Sequence, residues 1–311
     1  MLEIQGVDQL PAEYGELAVA IGKFDGVHLG HAALIHELVE YASEAAIIPA
    51  VVTFDRHPNS ILNPDLVPTP LCSQATRAQL LSELGVELVL TLPFDAELAG
   101  LSPEQFVSKV LTPIGAKMVF VGAGFRFGSG GKGDVTTLRQ LGSALGFRVR
   151  EVAHVELAGV KVSSTLVREQ LDAGRVEVAN ALLGRNHQVI GEIEHGRKLG
   201  RTLGFPTANF SRSSAGYLPA DGIYAGWLIA DGFRYRAAHS IGTNDSIAEV
   251  PRLLESHVLG RDDLDLYGKV CIAEFAKQVR PWSKFASLDE LISQIAKDVS
   301  RSSDILSIIE S

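Results

Sequence analysis

At Gly22-Lys23-Phe24-Asp25-Gly26-Val27-His28-Leu29-Gly30-His31, a short apolar run gives way to a segment whose apolar residues have helical spacing. The run Leu17 to Ile21 is typical of a buried strand, and residues 32–43 carry apolar side chains three and four positions apart. In a parallel sheet, ligands bind at the carboxyl ends of the strands, where the following helix offers unpaired N–H groups to a phosphate. The stretch therefore predicts an α/β domain with a ligand site at this turn.

The same alternation continues through the first half of the chain. Further strands are predicted at 47–54, 87–92, 117–121 and 147–152. Between them, Ser102-Pro103-Glu104-Gln105 has the pattern of a capping box and predicts a helix start, and Asp134 to Leu145 predicts a second helix. Short buried strands that alternate with helices predict a Rossmann-like parallel sheet with helices on both faces.

The pattern changes near Leu183-Gly184-Arg185. Strand-like runs separated by Gly, Pro and Asp follow at 189–193, 223–229, 235–241, 253–259 and 269–275. The next helix start is the capping box Ser287-Leu288-Asp289-Glu290. Several strands at this spacing predict an antiparallel β-barrel. We therefore divide the chain into an α/β domain, residues 1–185, and a barrel domain, residues 186–311.

Two histidines and two glycines in the first turn have the chemistry of a nucleotide-phosphate site. Gly26 and Gly30 let the backbone approach an anion closely, and His28 and His31 are donors for phosphate oxygens. Such donors stabilise the charge that grows as one phosphoryl oxygen attacks and another leaves. Zinc binding is the alternative for two histidines three positions apart, but no third residue with metal-ligand spacing stands nearby. We therefore predict nucleotide binding here.

A second phosphate-binding segment is predicted at Ser163-Ser164-Thr165-Leu166-Val167-Arg168, where a helix begins. Hydroxyls and an arginine at a helix N-terminus suit a triphosphate, although a plain helix cap with a solvated arginine is the simpler interpretation of this segment alone. The stretch Gly128-Ser129-Gly130-Gly131-Lys132-Gly133 lacks P-loop spacing. We interpret it as a mobile glycine-rich loop that folds over substrate.

The second half carries a motif with magnesium-ligand chemistry, Gly204-Phe205-Pro206-Thr207-Ala208-Asn209. If this segment is a strand, Thr207 and Asn209 share one face, and their side-chain oxygens are hard ligands suited to Mg²⁺. A basic, glycine-containing loop at 196–201 precedes the motif and suits phosphate oxygens. Glu255 lies in a strand-like run, where a carboxylate near the mouth of a barrel can take a proton from an alcohol, although a solvated strand residue is the commoner role.

Composition limits the remaining alternatives. The chain of 311 residues is 46% hydrophobic and 21% charged, as globular proteins are. Its net charge of −9 argues against nucleic-acid binding but not against binding of a mononucleotide. Cys72 and Cys271 are far apart, which predicts neither a thiolate metal site nor a disulfide. The sequence has no signal-peptide pattern and no apolar run of membrane-spanning length, so we expect a cytoplasmic protein.

These motifs, in this order, resemble those of the bacterial bifunctional riboflavin kinase/FAD synthetase family. The matching residues are 24–31, 121–122 with 125–128, 163–165 with Arg168, 204–209 and 265–268. The resemblance implies an N-terminal FMN adenylyltransferase domain that transfers AMP from ATP to FMN, giving FAD and pyrophosphate. It also implies a C-terminal six-stranded riboflavin kinase barrel that transfers the γ-phosphoryl group of ATP to riboflavin, giving FMN. ATP is then the co-substrate, Mg²⁺ the metal, and flavins the substrates and products.

Residue roles also follow from the resemblance. It implies that His28, His31, Ser164, Thr165 and Arg168 act on the ATP phosphates and that Glu255 is the base for the ribityl hydroxyl. It further implies that Thr207 and Asn209 hold the magnesium–nucleotide. The other motif positions implied to bind nucleotide or flavin are Gly22, Phe24, Asp25, Gly26, Gly30, Phe125, Phe127, Gly204 and Pro206.

Three positions depart from the family pattern. Arg56 stands where the family usually has Pro, Gly124 where it has Asp or Asn, and Asp245 where it has Pro. The first two bear on the affinity of the first domain for flavin or nucleotide. Because Asp245 lacks the fixed φ of Pro and adds a negative charge, we predict a kinase weaker than the adenylyltransferase. The alternatives left open are an adenylyltransferase with an inactive barrel and a flavin-binding protein without turnover, and self-association is left open too.

Overall fold

The computed structural model describes residues 1–11, 14–196, 203–242 and 252–311. Contacts within the chain divide it into two compact units, one formed by Met1–Thr69 with Ser73–Val162 and the other by Pro70–Cys72 with Ser163–Ser311. The first unit is built around a parallel sheet and the second around a closed barrel, as the sequence predicts. The functional division at residue 185 stays a prediction, since contacts group residues 163–185 with the barrel.

Six parallel strands form the sheet of the first unit. They are β1 (Leu2–Gln5), β2 (Leu17–Ile21), β3 (Ile48–Phe54), β4 (Leu88–Leu92), β5 (Ala116–Gly122) and β6 (Arg148–Val152), in the spatial order β1-β4-β3-β2-β5-β6. The predicted strands are confirmed to within one residue at each end. One strand is not predicted from the sequence: β1, which has four residues and pairs with β4 at the edge of the sheet.

Helices follow most of these strands. They are α1 (Leu29–Ala45), α2 (Asn59–Leu62), α3 (Gln74–Glu83), α4 (Ala96–Gly100), α5 (Pro103–Phe106) and α6 (Val135–Leu145). The predicted capping box is present: the Ser102 hydroxyl accepts the Gln105 N–H, and Gln105 Oε1 accepts the Ser102 N–H. The short α5 continues directly into a π-helical turn, Val107–Leu111. A small hairpin, β7 (Glu156–Leu157) with β8 (Val160–Lys161), ends the first unit.

Both faces of the sheet are covered, and β2 shows it residue by residue. Leu17, Val19 and Ile21 belong to one buried apolar cluster, whereas Ala18 and Ala20 belong to a second. Side chains of a strand alternate between its two faces, so the two clusters lie on opposite faces. This confirms the prediction of a sheet with helices on both faces and explains why β2 is apolar throughout.

Six antiparallel strands close the barrel of the second unit. They are β9 (His187–Glu194), β10 (Ala208–Phe210), β11 (Gly222–Ala230), β12 (Phe233–Gly242), β13 (Leu253–Val258) and β14 (Val270–Pro281). Neighbours around the barrel run β10-β13-β12-β11-β14-β9, and β9 pairs again with β10. The predicted barrel is confirmed, and the motif at 204–209 leads into its shortest described strand, β10.

In its described residues, the barrel unit contains the helices α7 (Ser164–Asp172), α8 (Val176–Leu183) and α9 (Leu288–Glu310). Asn180 of α8 contacts the barrel through both ends of its amide, since Nδ2 donates to the Phe275 carbonyl at 2.8 Å and Oδ1 accepts the His187 N–H at 2.7 Å. Ser287 caps the start of the final helix, as predicted, and its hydroxyl accepts the Glu290 N–H. In the described part of the chain, none of the helices is both long and apolar enough to cross a bilayer.

Candidate active sites

The predicted phosphate loop leaves the carboxyl end of β2 in strained backbone. Phe24 (φ 51°), Gly26 (φ 76°) and Val27 (φ 38°) all have positive φ. Glycine adopts such angles freely, whereas another residue held there costs on the order of 1–3 kcal/mol. The Phe24 ring is buried and lies with its centroid 5.2 Å from that of the His31 ring. Packing of this ring therefore helps to hold the loop in a shape that the free chain would avoid.

His28 and His31 stack on each other at the N-terminus of α1. Their ring centroids are 3.7 Å apart with 15° between the ring planes. His28 is the N-cap of the helix, and its Nδ1 accepts the backbone N–H of His31 at 3.3 Å. Because Nδ1 accepts, a neutral His28 carries its proton on Nε2, which is then a donor. Gly30 makes room for this ring, since a Cβ there would lie 3.1 Å from it.

Burial sets the charge of His31. Its Nδ1 is buried and has no hydrogen-bond partner among the residues that the structure describes. Burial first, and then the proximity of His28 and Lys23, holds the pKa of His31 well below its ordinary value of 6.5. His31 is therefore neutral near pH 7 and can act on a phosphate as a neutral donor.

Residues remote in sequence fix the entry to the loop. The Lys23 carbonyl accepts from the Thr53 hydroxyl at 3.3 Å and from Arg77 Nη1 at 3.1 Å. Arg77 Nη2 also donates to the Phe54 carbonyl at 3.0 Å, so one guanidinium joins the ends of β2 and β3. Neither role is predictable from the sequence, because Thr53 lies inside a strand and Arg77 is 54 positions away from Lys23.

Arg56, the first departure from the family pattern, pairs with Asp55. Arg56 Nη2 lies 2.8 Å from the Asp55 carboxylate, which also accepts the Phe94 N–H at 2.8 Å. Burial raises the pKa of Asp55, but the hydrogen bonds from Arg56 and Phe94 outweigh burial and lower the pKa below its ordinary value. Asp55 is therefore an anion at the end of β3, held by a partner that a Pro at position 56 would not supply.

The glycine-rich stretch after β5 folds into a closed turn. Phe127 and Gly133 exchange backbone hydrogen bonds of 3.1 and 3.0 Å, and the Phe125 and Phe127 rings stack with centroids 5.7 Å apart. Gly124, which stands where the family usually has Asp or Asn, has φ 74°. Asn and Asp are also tolerated in this left-handed region, so glycine fits the same backbone conformation. Movement of the loop over substrate stays a prediction.

The helix start predicted at Ser163 is that of α7, in the second unit. The Ser163 hydroxyl caps the helix by accepting the Leu166 N–H at 3.2 Å. Arg168 Nη1 donates to the Ser164 carbonyl at 3.3 Å, and its guanidinium lies 5.9 Å from the centroid of the Tyr217 ring. Thr165 is exposed. The roles predicted for Ser164, Thr165 and Arg168 toward the ATP phosphates stay predictions.

Thr207, Asn209 and Glu255 come together on neighbouring strands of the barrel. Asn209 of β10 is the cross-strand partner of Glu255 of β13. The Thr207 hydroxyl donates to Glu255 Oε2 at 3.3 Å, and Asn209 Nδ2 donates to the Thr207 carbonyl at 3.2 Å. Gly196 lies close to this group, because a Cβ there would lie 2.5 Å from the Asn209 amide. The structure thus brings Glu255, which the sequence places on a separate segment, next to Thr207 and Asn209.

Glu255 has the electrostatics of a proton acceptor. The residue is half-buried, and burial raises the pKa of its carboxyl while the hydrogen bond from Thr207 partly offsets the rise. A higher pKa makes the ionised carboxylate a stronger base. Beside it, the Pro206 carbonyl accepts from His257 Nδ1 at 2.8 Å, a contact that the sequence did not indicate. Gly204 has φ 85°, which a glycine adopts without strain.

The same group of side chains fits a magnesium–nucleotide. A threonine hydroxyl, an amide oxygen and a carboxylate are hard oxygen ligands, and Mg²⁺ commonly binds through one or two carboxylates, waters and substrate phosphates. Among the described residues, no three His, Cys, Asp or Glu side chains are arranged to hold a metal ion. The donor set therefore suits a cation that arrives with phosphates more than a metal cage made by protein alone.

Two predicted features lie outside the described residues. Of the basic loop at 196–201, only Gly196 is described. Asp245 also lies outside the described part of the chain, so the weaker kinase stays a prediction. The matching segment at 265–268 is described and forms a turn: Gly268 has φ 72°, and the Lys269 N–H donates to the Leu266 carbonyl at 3.1 Å.

Sequence models of two protein families match this chain, one in each half. FAD synthetase matches residues 10–166 and riboflavin kinase matches residues 183–306. A bifunctional riboflavin kinase/FMN adenylyltransferase of Escherichia coli strain K12 is 35% identical over 95% of this chain and 94% of its own length. The chain belongs to this family. The resemblance inferred from the motifs is thereby confirmed.

Further similar proteins extend over both halves of the chain. A protein with the same family name from Bacillus subtilis strain 168 is 32% identical over 92% of this chain and 91% of its own. A solved structure described as a macrolide-efflux protein from Streptococcus pneumoniae is 29% identical, with a TM-score of 0.87 over 97% of this chain and 98% of that one. The chain therefore shares the fold of this structure over nearly its whole length.

Proposed function

We propose that this chain makes flavin cofactors in two ATP-dependent steps. Riboflavin and ATP give FMN and ADP in the first step, and FMN and a second ATP give FAD and pyrophosphate in the next. The observation that carries the proposal is the stacked His28–His31 pair at a helix N-terminus, in a chain whose halves match FAD synthetase and riboflavin kinase. Because the riboflavin kinase match extends over residues 183–306, the alternative of an inactive barrel finds no support.

Adenylyl transfer is a displacement between two anions. A phosphate oxygen of FMN attacks the α-phosphorus of ATP, and the bond to pyrophosphate breaks. The protein has to position both anions and stabilise the charge that moves to the leaving group. His28 Nε2–H and the unpaired N–H groups of α1 are the proposed donors, and neutral His31 donates beside them. Ser164, Thr165 and Arg168 are proposed to bind ATP phosphates.

Phosphoryl transfer in the barrel needs a base and a neutralised triphosphate. Glu255 is proposed to accept the proton of the ribityl hydroxyl as that oxygen attacks the γ-phosphorus of ATP, with ADP leaving. The Thr207 hydroxyl orients the carboxylate through its 3.3 Å hydrogen bond. Mg²⁺ bound with Thr207 and Asn209 would neutralise charge on the phosphates. The flavin and nucleotide contacts proposed for Phe125, Phe127, Gly204 and Pro206 complete the two sites.

One pair of incubations tests both steps. The purified protein is given riboflavin, ATP and magnesium in one tube and FMN, ATP and magnesium in another, and flavins are resolved by chromatography. We expect FMN to appear first and FAD to follow in the first tube, and FAD with pyrophosphate in the second. Removal of magnesium with a chelator should stop both reactions. If the protein makes FAD from FMN but makes no FMN from riboflavin, the proposed kinase activity is wrong.

The remaining expectations concern partners. We propose that riboflavin, FMN, FAD and ATP are the ligands and that nucleic acid is not one, because a net charge of −9 opposes contact with a phosphate backbone. Titration of labelled duplex DNA and RNA at low salt checks this expectation. Self-association is measured by size-exclusion chromatography with light scattering at several protein concentrations.

A further inference from the structure

Two residues on one face of β13 contact the segment that carries Thr207. Glu255 and His257 share this face because strand side chains alternate, and Ser256 between them is buried on the other face. Glu255 accepts the Thr207 hydroxyl at 3.3 Å, and His257 Nδ1 lies 2.8 Å from the Pro206 carbonyl. The strand therefore contacts two consecutive residues, one through each of these side chains.

The chemistry of the two atoms gives the second contact its direction. A backbone carbonyl has lone pairs and no proton, so it accepts hydrogen bonds and cannot donate them. His257 Nδ1 therefore carries a proton and donates it to the Pro206 carbonyl. Any side chain without a donor at the place of Nδ1 would lose this hydrogen bond.

The proline explains why a side chain makes this contact. Pro206 has no backbone N–H and cannot donate to a ladder. The pairing of β10 with β13 begins only at Ala208, opposite Ser256, and residues 205–207 belong to neither a helix nor a strand. The peptide that joins Pro206 to Thr207 thus lies just outside the ladder, and His257 gives it a hydrogen bond from the neighbouring strand.

This peptide orients Thr207. The Pro206 carbonyl and the Thr207 nitrogen belong to one planar peptide unit, so a hydrogen bond to the carbonyl restrains the backbone at Thr207. A β-branched side chain has few χ1 rotamers, and the backbone therefore largely decides where the Thr207 hydroxyl points. The Thr207 carbonyl is restrained as well, since it accepts from Asn209 Nδ2 at 3.2 Å.

The His257 ring also makes an apolar contact. The rings of Phe205 and His257 meet edge to face, with centroids 5.7 Å apart and 79° between their planes. An edge-to-face pair of this kind stabilises packing whether or not the ring carries a donor. A test of His257 therefore has to separate its donor from its ring.

We infer that His257 is a positioning residue of the kinase site, an assignment that rests on the proposed function. By donating to the Pro206 carbonyl, His257 holds Thr207 where its hydroxyl orients Glu255 and where it binds the magnesium–nucleotide. In this role His257 touches no substrate and transfers no proton. Misplacement of a positioned group by 1 Å can cost about 10²-fold in rate, so the effect is expected on FMN formation.

Two variants of the full-length protein separate the donor from the ring. His257→Asn keeps an N–H donor near the place of Nδ1 and removes the ring, whereas His257→Phe keeps the ring and removes the donor. FMN formation is measured with magnesium–ATP varied at saturating riboflavin. We expect His257→Phe to lower kcat/KM about 10- to 100-fold and His257→Asn to stay within about fivefold of wild type. His154→Phe, the same exchange at an exposed histidine of the first unit, is the control and should leave kcat/KM unchanged.

A double-mutant cycle tests whether His257 acts through Thr207. Thr207→Val removes the hydroxyl and keeps the shape of the side chain. In that background His257→Phe should lower kcat/KM by no more than about threefold, because the hydroxyl that it misplaces is already absent. Fluorescence of the two tryptophans, which both lie in the second unit, shows that each barrel is folded. If His257→Phe does not fold, His257→Leu, which also lacks a donor, takes its place.

Two results would overturn the inference. If His257→Phe is as active as His257→Asn or more active, the ring matters and the donor does not. If the losses from His257→Phe and Thr207→Val multiply, His257 does not act through Thr207. If the wild type forms no FMN, the proposed kinase function fails, and calorimetric titration with magnesium–ADP still tests the positioning. Wild type and His257→Asn should then bind more tightly than His257→Phe, and equal or reversed affinities would contradict the role of the donor.

Discussion

The two candidate sites are built in opposite ways. The adenylyl-transfer site takes its histidines from one stretch, residues 22–31, in which three residues have positive φ. The kinase site joins residues 207–209 to Glu255 across the β10–β13 pairing, in extended backbone. The first site depends on the shape of a loop, and the second depends on the register between strands. Substitutions should therefore affect the two activities separately and through different causes.

Loss of both histidines should have the largest effect. The double variant His28→Ala with His31→Ala removes two donors to developing charge, and each such donor typically contributes about 10²–10³ in rate. We expect FAD formation from supplied FMN to be nearly abolished while FMN formation from riboflavin continues, both measured by chromatography. Loss of both activities with an unchanged circular dichroism spectrum would contradict the separation of the sites.

Glu255→Gln should produce the complementary loss. The variant keeps the size of the side chain and a partner for Thr207 but removes the proposed base, which typically contributes about 10²–10⁴ in rate. FMN formation should fall by that factor while supplied FMN is still converted to FAD. Because burial raises the pKa of Glu255, the wild-type kinase should lose activity as the pH falls through that raised pKa. Near wild-type turnover of the variant would mean that another group accepts the proton.

Substitution of one glycine beside each site compares the loop-built site with the strand-built site directly. A Cβ at Gly196 would lie 2.5 Å from the Asn209 amide, which forces a shift, whereas a Cβ at Gly30 would lie 3.1 Å from the His28 ring. Misplacement of a positioned group by 1 Å can cost about 10²-fold in rate. We expect Gly196→Ala to lower kinase kcat/KM roughly 10- to 100-fold and Gly30→Ala to lower adenylyl transfer by less. Both activities are assayed in both variants, and the reverse order would show that His28 tolerates displacement less than Asn209 does.

The smallest predicted effect is on stability in acid. Burial lowers the pKa of His187 and of His239 to about 4, below the ordinary 6.5. Between pH 6.5 and pH 4 the two histidines are protonated in the unfolded chain but not in the folded barrel. The free energy of unfolding therefore falls as the pH drops from 6.5 toward 4, and above pH 6.5 these two histidines do not change it. One pH unit below 6.5, each histidine should lower the free energy of unfolding by roughly 1.4 kcal/mol.

Tryptophan fluorescence can follow this effect in the barrel alone. Both tryptophans, Trp227 and Trp282, lie in the second unit. Urea unfolding at neutral pH and one unit below 6.5 gives the two free energies, and His239→Gln should reduce the difference between them by about half. A difference that is the same in wild type and variant would assign the acid sensitivity to other groups.

Local sequence patterns predicted the elements that carry the first site but not the contacts that support it. β2 was predicted at its observed bounds because an apolar run ends there at Gly22. The hydrogen bonds from Thr53 and Arg77 to the Lys23 carbonyl join remote segments and leave no periodic trace in the sequence. Positive φ at Phe24 was also beyond prediction, because the residue type disfavours it and only the folded surroundings impose it.

For the second site, too, the sequence predicts local features but not which strands are neighbours. Alternation along one strand placed Thr207 and Asn209 on one face, and their contact confirms it. Which strand lies beside β10 is not encoded in that alternation, so the pairing of Asn209 with Glu255 is known only from the observed register. The π-helical turn after α5 and the short α8 were likewise missed, since neither has a long periodic pattern.

The amide of Asn180 has a consequence for how the protein ages. Phe275 and His187 are the last pair in register between β14 and β9, and the amide satisfies one backbone group of each. Asparagine is among the chemically labile residues, and its hydrolysis replaces the amide nitrogen with a carboxylate oxygen. That oxygen would face the Phe275 carbonyl, and neither atom has a proton to share. A change at one atom would thus add a negative charge where α8 contacts β9 and β14 of the barrel.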